Sequence, residues 1–367
     1  MEIQDVTNNV WQYNNVKKVH IELSSRCNAA CPGCQRFISN SPIINPRLIQ
    51  ANVSLEQFKN WFPPEFVAQI DDWLFCGSYG DPLAANDIYE ILEYVCENSE
   101  AQVRINTNAG LRTPELFTKI GKLFAKGKDY NRAIAFSIDG LEDTNHIYRR
   151  NVVWEKVWEN LMAYVATGAN AYWDFLQFRH NVHQIPEIEK IAEKHGICLF
   201  VKNPFGVDKK AMPAYNRNYE LDYIIEHATD YGYPAYTPGG SDYVAPMPAK
   251  IEAQGVIKCL SVKKTLLQTT TEIYIDASGK VLPCCFIPSG LLPKYFDWGN
   301  QLQEMYKQIG DANNLNFHSL QHILDTGVLE MYSRSWKNKE IAACWIYCGK
   351  NTEKDRIIDK LWQKKDE

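Results

Sequence analysis

A strand pattern followed by a helix pattern occurs six times between residues 17 and 203, and this alternation constrains the fold more than any other feature of the sequence. The predicted strands are rich in β-branched or aromatic residues. They are Lys18–Leu23, Trp73–Gly77, Gln102–Asn106, Ala133–Ile138, Tyr172–Phe178 and Cys198–Lys202. Strands that alternate with helices favour a parallel sheet with right-handed crossovers. Six units are too few for a closed eightfold barrel, so the sequence predicts an α/β fold, a partial (β/α)6 TIM-like barrel, over residues 1–203.

Helices are predicted between these strands from the spacing of apolar residues. Apolar side chains recur at helical intervals in Gln184–His195 and Val153–Val165. Ser54, with a glutamine three residues later, predicts a capped helix start, and Thr113 before a proline predicts another. Gly196 predicts a helix end.

The alternation stops after residue 203. Residues 204–258 contain six prolines and a Gly-Gly pair, which predicts an irregular connector, with one helix near Tyr219–Tyr231. Residues 259–367 are predicted to form a smaller C-terminal α+β unit. Its elements are a hairpin of Glu272–Ile275 with Val281–Leu282, and helices near Leu302–Ile309 and Leu320–Trp336.

Charge and hydropathy exclude several classes of protein. The net charge of −5 disfavours a nucleic-acid partner, because a phosphate backbone selects a basic surface. No apolar run approaches the roughly 18 residues needed to cross a bilayer. The first residues lack the basic and apolar regions of a signal peptide. We therefore expect a cytoplasmic protein without a membrane partner.

Eight of the eleven cysteines lie in short groups. The odd count, the grouping and the missing export signal argue against a disulfide framework and indicate metal or iron–sulfur binding. Cys76, Cys96 and Cys198 lie in apolar stretches and are expected to be small buried side chains. The grouped cysteines are Cys27, Cys31 and Cys34; Cys259, Cys284 and Cys285; and Cys344 and Cys348.

The first group, Cys27, Cys31 and Cys34, directly follows the first predicted strand. Three thiolates within eight residues can bind three irons of a cubane cluster and leave the fourth iron open to a substrate. The alternatives are a zinc site or an ordinary four-cysteine cluster. Zinc ligands usually come as two short pairs, and no fourth ligand is near this group.

The spacing Cys-x3-Cys-x2-Cys after the first strand of a βα-repeat domain resembles the signature of the radical S-adenosylmethionine (SAM) superfamily. The resemblance implies that a [4Fe–4S] cluster binds SAM at its open iron. One electron then releases a 5′-deoxyadenosyl radical, which abstracts hydrogen from a substrate. The family often has an aromatic residue before the third cysteine, where this chain has Gly33.

Later segments resemble family motifs in the same order along the chain. The segment GSYGDP at 77–82 resembles a Gly-Gly-Glu-Pro turn, which implies that Gly80 and Asp81 hold the SAM ammonium. The segment NTN at 106–108 resembles a Thr-Asn-Gly turn and implies a cofactor contact from Asn106. Ser137 and Asp139 end the fourth strand, where relatives bind the ribose and methionine parts of SAM.

A family arginine that is proposed to clamp the SAM carboxylate matches Arg149, with Arg150 as the alternative. Arg179 and His180, at the end of the fifth strand, either face SAM or substrate or have a structural role.

The C-terminal cysteines resemble the SPASM/twitch extension of radical SAM enzymes. The resemblance implies one auxiliary [4Fe–4S] cluster bound by Cys259, Cys284, Cys344 and Cys348. Cys285 is an alternative to Cys284, because adjacent strand residues point to opposite faces. Four thiolates also suit a structural zinc ion.

The resulting functional hypothesis is a radical SAM oxidoreductase that carries out a two-electron oxidation of a peptide or small molecule. It would receive electrons from a donor such as flavodoxin or ferredoxin. The alternatives are an epimerase or cyclase on the same scaffold, and a zinc or iron–sulfur scaffold without catalysis. About 16 residues precede the first strand, so we expect no separate peptide-recognition domain there.

Overall fold

The computed structural model describes residues 10–127, 131–204, 211–228, 259, 261–264, 269–291, 300–338, 341, 344 and 348. The strands are β1 Val16–Ile21, β2 Asp72–Phe75, β3 Gln102–Thr107, β4 Ala133–Ser137, β5 Asn170–Leu176, β6 Cys198–Lys202, β7 Ala211–Tyr215, β8 Leu221–Glu226, β9 Val262–Lys264, β10 Thr269–Ile275 and β11 Val281–Leu282. The helices are α1 Leu55–Trp61, α2 Pro64–Gln69, α3 Ile88–Asn98, α4 Pro114–Lys126, α5 Asn145–Tyr148, α6 Trp154–Val165, α7 Ile185–His195, α8 Phe286–Leu291, α9 Asn300–Ile309, α10 Leu320–Asp325 and α11 Glu330–Asn338.

The main sheet contains the six predicted strands in chain order. Within the described residues its order is β11-β10-β1-β2-β3-β4-β5-β6, with β9 beside β10. Strands β1 to β6 pair in parallel with their neighbours. The prediction of an α/β, partial TIM-like barrel is confirmed.

The C-terminal hairpin joins this sheet. The predicted pairing of β10 with β11 is confirmed as antiparallel, but β10 also pairs in parallel with β1, from Val16 opposite Thr271 to Ile21 opposite Ile275. The division of the chain into three domains stays a prediction, and most of the predicted connector lies outside the described residues.

The two faces of the main sheet have different chemistry. On the helix-covered face, Phe136 stacks on Phe117 of α4, with ring centroids 6.0 Å apart, and Trp73 packs on Phe58 of α1 at 5.6 Å. These four side chains are fully buried. The opposite face carries charged side chains at β1, where the Lys18 ammonium lies 3.3 Å from the Asp72 carboxylate and 3.6 Å from that of Glu272, and a small apolar cluster of Ala133, Ala135, Tyr172 and Phe200 farther along the sheet. Burial of the aromatic face therefore holds the helices on the sheet and leaves the face with the charged side chains inside the barrel.

The predicted helix boundaries are largely confirmed. Ser54 caps α1 in a capping box with Gln57, so both side chains satisfy backbone N–H groups of the first turn. Thr113 precedes α4 with a proline at its start. Gly196 ends α7 in the left-handed conformation, at φ 66°.

Two helix predictions are wrong. The helix expected near Tyr219–Tyr231 is instead strand β8, paired antiparallel with β7; residues beyond 228 lie outside the described part. The two-residue alternation of a strand is seen in the partner strand β7, where Met212 and Ala214 are buried and the residues on either side of them are partly exposed. The helix expected over Leu320–Trp336 is two helices, α10 and α11, because Gly327 between them has φ 68°.

Membrane spanning was tested on the described residues. Among them, no helix combines the length and the apolar character that a bilayer crossing requires.

Candidate cluster and cofactor site

Cys27, Cys31 and Cys34 lie on the loop after β1, and polar groups surround their sulfurs. The backbone N–H groups of Ala29 and Arg36 donate to the sulfurs of Cys27 and Cys34, each at 3.4 Å. Burial raises the pKa of Cys31 to about 11, against the lowering effect of a nearby arginine. N–H donors stabilise thiolates more than thiols, so this donor set suits a [4Fe–4S] cluster.

The three thiols do not form a tight single-ion site. Among the described residues, no three His, Cys, Asp or Glu side chains are placed to hold one metal ion together. In a cubane cluster each thiolate binds a different iron, so the ligands do not converge on one point.

The loop after the cysteines is fixed to the chain by buried contacts. The Arg36 guanidinium donates to the Ser25 carbonyl. The Ser25 hydroxyl in turn donates to the Ile49 carbonyl and accepts from the Ala51 N–H, both at 2.8 Å. The Ala30 N–H donates to a carbonyl of the segment after α5 at 2.9 Å. These bonds preorganise the thiols.

Glu22, which the sequence reasoning missed, holds the turn after β2. Its Oε1 accepts from the backbone N–H groups of Tyr79 at 2.8 Å and Gly80 at 2.7 Å, and its Oε2 accepts from the Tyr274 hydroxyl at 2.9 Å. Burial raises the pKa of Glu22 to about 7, although these bonds lower it. A Cβ on Gly80 would lie 1.8 Å from the Ser24 carbonyl oxygen, so only glycine fits this close approach. The signal for Glu22 was a carboxylate directly at the end of a strand.

Asp81 is bound by internal donors. Its buried carboxylate accepts from the backbone N–H groups of Leu83 at 3.0 Å and Asn108 at 2.9 Å, and from the Thr107 hydroxyl at 2.9 Å. The Asn108 amide adds a fourth bond at 2.9 Å and also donates to the Cys27 sulfur at 3.4 Å. Four donors occupy the acceptor sites of the carboxylate. In this arrangement Asp81 positions Asn108 against the cysteine loop.

Asp139 and Arg149 form a buried ion pair next to Cys31. The Arg149 Nε lies 2.6 Å from Asp139 Oδ2, and its Nη1 lies 3.8 Å from the Cys31 sulfur. The other Asp139 oxygen accepts from the Leu176 N–H at 2.7 Å. Burial alone would lower the pKa of Arg149, but the Asp139 carboxylate and Cys31 keep it above its ordinary value. A permanent positive charge therefore lies beside the second cysteine.

Arg150, the alternative to Arg149, points to the β7–β8 hairpin. Its Nε donates to the Tyr223 hydroxyl at 2.7 Å, and its Nη1 donates to the Tyr215 carbonyl at 2.8 Å. The structure therefore places Arg149, and not Arg150, beside the cysteines.

The remaining predicted contacts lie on or after β3, β4 and β5. Asn106 lies on β3, and its buried Oδ1 has no hydrogen-bond partner among the residues that the structure describes. Ser137 ends β4 in register with Asp174. Arg179 forms an exposed ion pair with Glu226 at 2.9 Å. His180 stacks on a phenylalanine, and burial lowers its pKa to about 4.

The C-terminal cysteines separate into two environments. A hydrogen bond to Cys348, together with burial and the Cys284 thiol, raises the pKa of Cys259. Burial and the thiols of Cys285, Cys344 and Cys348 raise the pKa of Cys284. Burial raises the pKa of Cys285 as well, but its other neighbours are Glu272 and Cys76 in the barrel interior. Interactions thus link Cys259 to Cys284 and Cys348, and link Cys344 to Cys284 and Cys348, whereas Cys285 interacts with Glu272, Cys76 and Lys18 as well as with Cys284.

Comparisons with known proteins agree with this architecture. SuiB from Streptococcus suis is 16% identical over 91% of this chain and 72% of its own, with a TM-score of 0.51. SuiB bound to its precursor peptide SuiA is 15% identical over 91% of this chain and 71% of its own, with a TM-score of 0.51. SuiB bound to SAM is 15% identical over 75% of this chain and 61% of its own, with a TM-score of 0.47.

The histidine-tagged protein anSMEcpe with bound AdoMet is 14% identical over 90% of this chain and 84% of its own, with a TM-score of 0.49. The chain therefore spans 61–72% of the length of the SuiB chains. At these identities the likeness to solved structures shows the fold alone.

No curated protein matches the sequence. Residues 21–177 match the family model of the radical SAM superfamily, and they include the cysteine loop and strands β2 to β5. This chain therefore contains a radical SAM domain.

Proposed function

We propose that the chain is a radical SAM enzyme whose Cys27, Cys31 and Cys34 bind a [4Fe–4S] cluster. The observation that carries the proposal is the loop of three cysteines with N–H donors on the sulfurs of Cys27 and Cys34 and the Arg149–Asp139 ion pair beside Cys31. When bound, the cluster and SAM would supply a 5′-deoxyadenosyl radical that abstracts hydrogen from the substrate.

The residues of the chain would prepare this site before any ligand binds. The Arg149 guanidinium offsets negative charge at the thiolates, and its N–H groups other than those that face Asp139 and Cys31 could bind a carboxylate. Glu22 fixes the backbone turn that ends in Gly80 and Asp81. The buried Oδ1 of Asn106, which no described residue binds, would be an acceptor for a ligand N–H or O–H group.

A second, auxiliary [4Fe–4S] cluster is proposed at Cys259, Cys284, Cys344 and Cys348. Support comes from the interactions that connect these four thiols to one another, while Cys285 also interacts with Glu272 and Cys76. A cluster with four protein ligands has no open iron for substrate, so its role would be to accept an electron. The net reaction would then be a two-electron oxidation.

A peptide is the substrate class to test first, and a small molecule is the alternative. SuiB, which shares the fold, was solved with its precursor peptide SuiA. A flavodoxin or ferredoxin would supply the first electron. Epimerisation or cyclisation on the same scaffold is the competing reaction class.

The primary experiment is anaerobic reconstitution followed by reduction with dithionite in the presence of SAM. We expect about eight iron atoms per chain and release of 5′-deoxyadenosine, measured by mass spectrometry. Cys31→Ala should abolish the release, and Cys198→Ala, an exposed cysteine on β6, is the matched control. A wild-type protein that carries zinc at the cysteine loop, or releases no 5′-deoxyadenosine, would refute the proposal.

The auxiliary cluster has its own test in adjacent residues. Cys284→Ala should reduce the iron content to about four atoms, while Cys285→Ala should keep about eight. A reversed result would assign the ligand to Cys285. If the wild type carries zinc at these four thiols, the site is a structural zinc site and the proposal of an auxiliary cluster is wrong. A substrate product lighter by two hydrogens supports oxidation, and a product of unchanged mass supports epimerisation.

A further inference from the structure

Gly33 lies between Cys31 and Cys34, and other side chains already fill the space beside its Cα. A Cβ at this position would lie 2.8 Å from the Tyr148 hydroxyl oxygen and 3.5 Å from the Met212 sulfur. Tyr148 is 8% exposed and Met212 is 1% exposed. Two side chains from distant segments thus cover the cysteine loop where it has no side chain of its own.

Tyr148 is held in this position by the neighbouring site residues. Its ring lies 4.7 Å from the Phe178 ring, and the Arg149 guanidinium carbon lies 5.4 Å from the Tyr148 ring centroid. Because Arg149 is fixed by the buried ion pair with Asp139, the orientation of Tyr148 is tied to the same network.

Met212 is brought to the loop by the β7–β8 hairpin. The Tyr215 N–H donates to the Asn40 carbonyl at 3.2 Å, which joins the hairpin to the segment after Cys34. Arg150 also binds the hairpin, with its guanidinium carbon 4.6 Å from the Tyr223 ring centroid. The hairpin is therefore anchored both to the cysteine loop and to the residue that follows Arg149.

We propose that Tyr148 and Met212 form a wall over Gly33 that replaces a side chain at position 33 and helps to position SAM at the cysteine loop. The proposal rests on the proposed function. The wall combines the Tyr148 hydroxyl and ring edge with the polarisable Met212 thioether, and all three lie within 3.6 Å of the position of a Cβ on Gly33. Gly33 is then required because Tyr148 occupies the space, and both wall residues act as positioning residues.

A size exchange between positions 33 and 148 tests the wall directly. Gly33→Phe should lower the iron content after reconstitution and weaken SAM binding, measured by equilibrium dialysis, at least tenfold. The double variant Gly33→Phe/Tyr148→Ala should recover most of both, because the new ring takes the vacated space. Tyr148→Ala alone should weaken SAM binding about tenfold, equivalent to about 1.4 kcal/mol.

The hairpin residue has a matched control on the next strand. Met212→Ala should weaken SAM binding severalfold, whereas Ile224→Ala, 54% exposed on the same hairpin, should leave it unchanged. The electron paramagnetic resonance signal of the reduced cluster, with and without SAM, gives a second readout that does not depend on turnover. SAM affinities within twofold of wild type for both Tyr148→Ala and Met212→Ala would overturn the proposal.

Thermal unfolding separates this proposal from the proposed function. It is measured for the wild type, for the single variants at positions 33 and 148, and for the double variant. If the wild type binds no cluster, the proposed function fails, but the packing remains measurable in the metal-free chain. Gly33→Phe should then lower the melting temperature, and Tyr148→Ala should partly restore it, a coupling that only neighbouring residues show. Additive effects of the two substitutions would show that Tyr148 does not occupy the space beside Gly33.

Discussion

The ion pair between Asp139 and Arg149 gives the sharpest prediction about stability. The Asp139 side chain is 0% exposed and that of Arg149 is 16% exposed, with Nε and Oδ2 only 2.6 Å apart. In Asp139→Asn the amide has one oxygen for two donors, the Arg149 Nε and the Leu176 N–H. One of these donors must then face the new NH2 group, and the guanidinium loses its counter-charge.

Breaking a buried pair in this way typically costs about 3–5 kcal/mol, because a charge stays buried without compensation. At roughly 2 °C per kcal/mol for a large domain, the melting temperature should fall by about 6–10 °C. Urea unfolding followed by tryptophan fluorescence measures the same loss as a lower midpoint at unchanged slope.

The exposed pair of Arg179 and Glu226 provides the matched control. Its N–O distance is 2.9 Å, but both side chains are about half exposed, at 57% and 48%. Glu226→Gln should therefore cost less than about 1 kcal/mol. If Asp139→Asn lowers the free energy of unfolding no more than Glu226→Gln does, burial does not strengthen the contribution of the Asp139–Arg149 pair to stability, and the reasoning is wrong.

Three further predictions concern the turn after β2 and the first helix. The raised pKa of Glu22, about 7, means that the folded chain holds this proton more tightly than the unfolded chain, so the associated stability is full below pH 4.5 and is lost as pH rises through 7. Glu22→Gln should make the melting temperature less dependent on pH between pH 5 and 8. An unchanged pH dependence would contradict the raised pKa of Glu22. Gly80→Ala should abolish SAM binding in dialysis, because its Cβ collides with the Ser24 carbonyl, whereas wild-type affinity would show that the turn relaxes freely. Ser54→Ala should lower the free energy of unfolding in urea by about 1 kcal/mol, because the helix cap is lost. A decrease below a few tenths of a kcal/mol would show that the capping box does not stabilise the chain.

The alternating fold was predictable because each local pattern agrees with the global architecture. Strands β1 to β6 combine β-branched or aromatic residues with bounding turn residues, and helix starts such as Ser54 carry their own capping signal. The Tyr219–Tyr231 prediction failed because this segment is a strand through its antiparallel pairing with β7, a tertiary contact that the local residue pattern does not show.

The candidate site was predictable to the level of motifs but not of hydrogen bonds. The resemblance identified Asp81 and Asp139, yet it gave no account of the donors from Asn108 and Arg149 that occupy them. Glu22 was missed because its role depends on Tyr274, which is distant in sequence and is brought close only by the pairing of β1 with β10. Contacts of this kind follow from tertiary topology, which local patterns do not encode.

The pairing of β1 with β10 also affects how the chain must be made. Val16–Ile21 leaves the ribosome early, but its partner Thr269–Ile275 emerges about 250 residues later. At roughly 5–20 residues per second, the nascent chain keeps this side of its first strand unpaired for on the order of 10–50 s. An uncovered strand edge invites intermolecular pairing, so slow translation or early termination should favour aggregation of this protein.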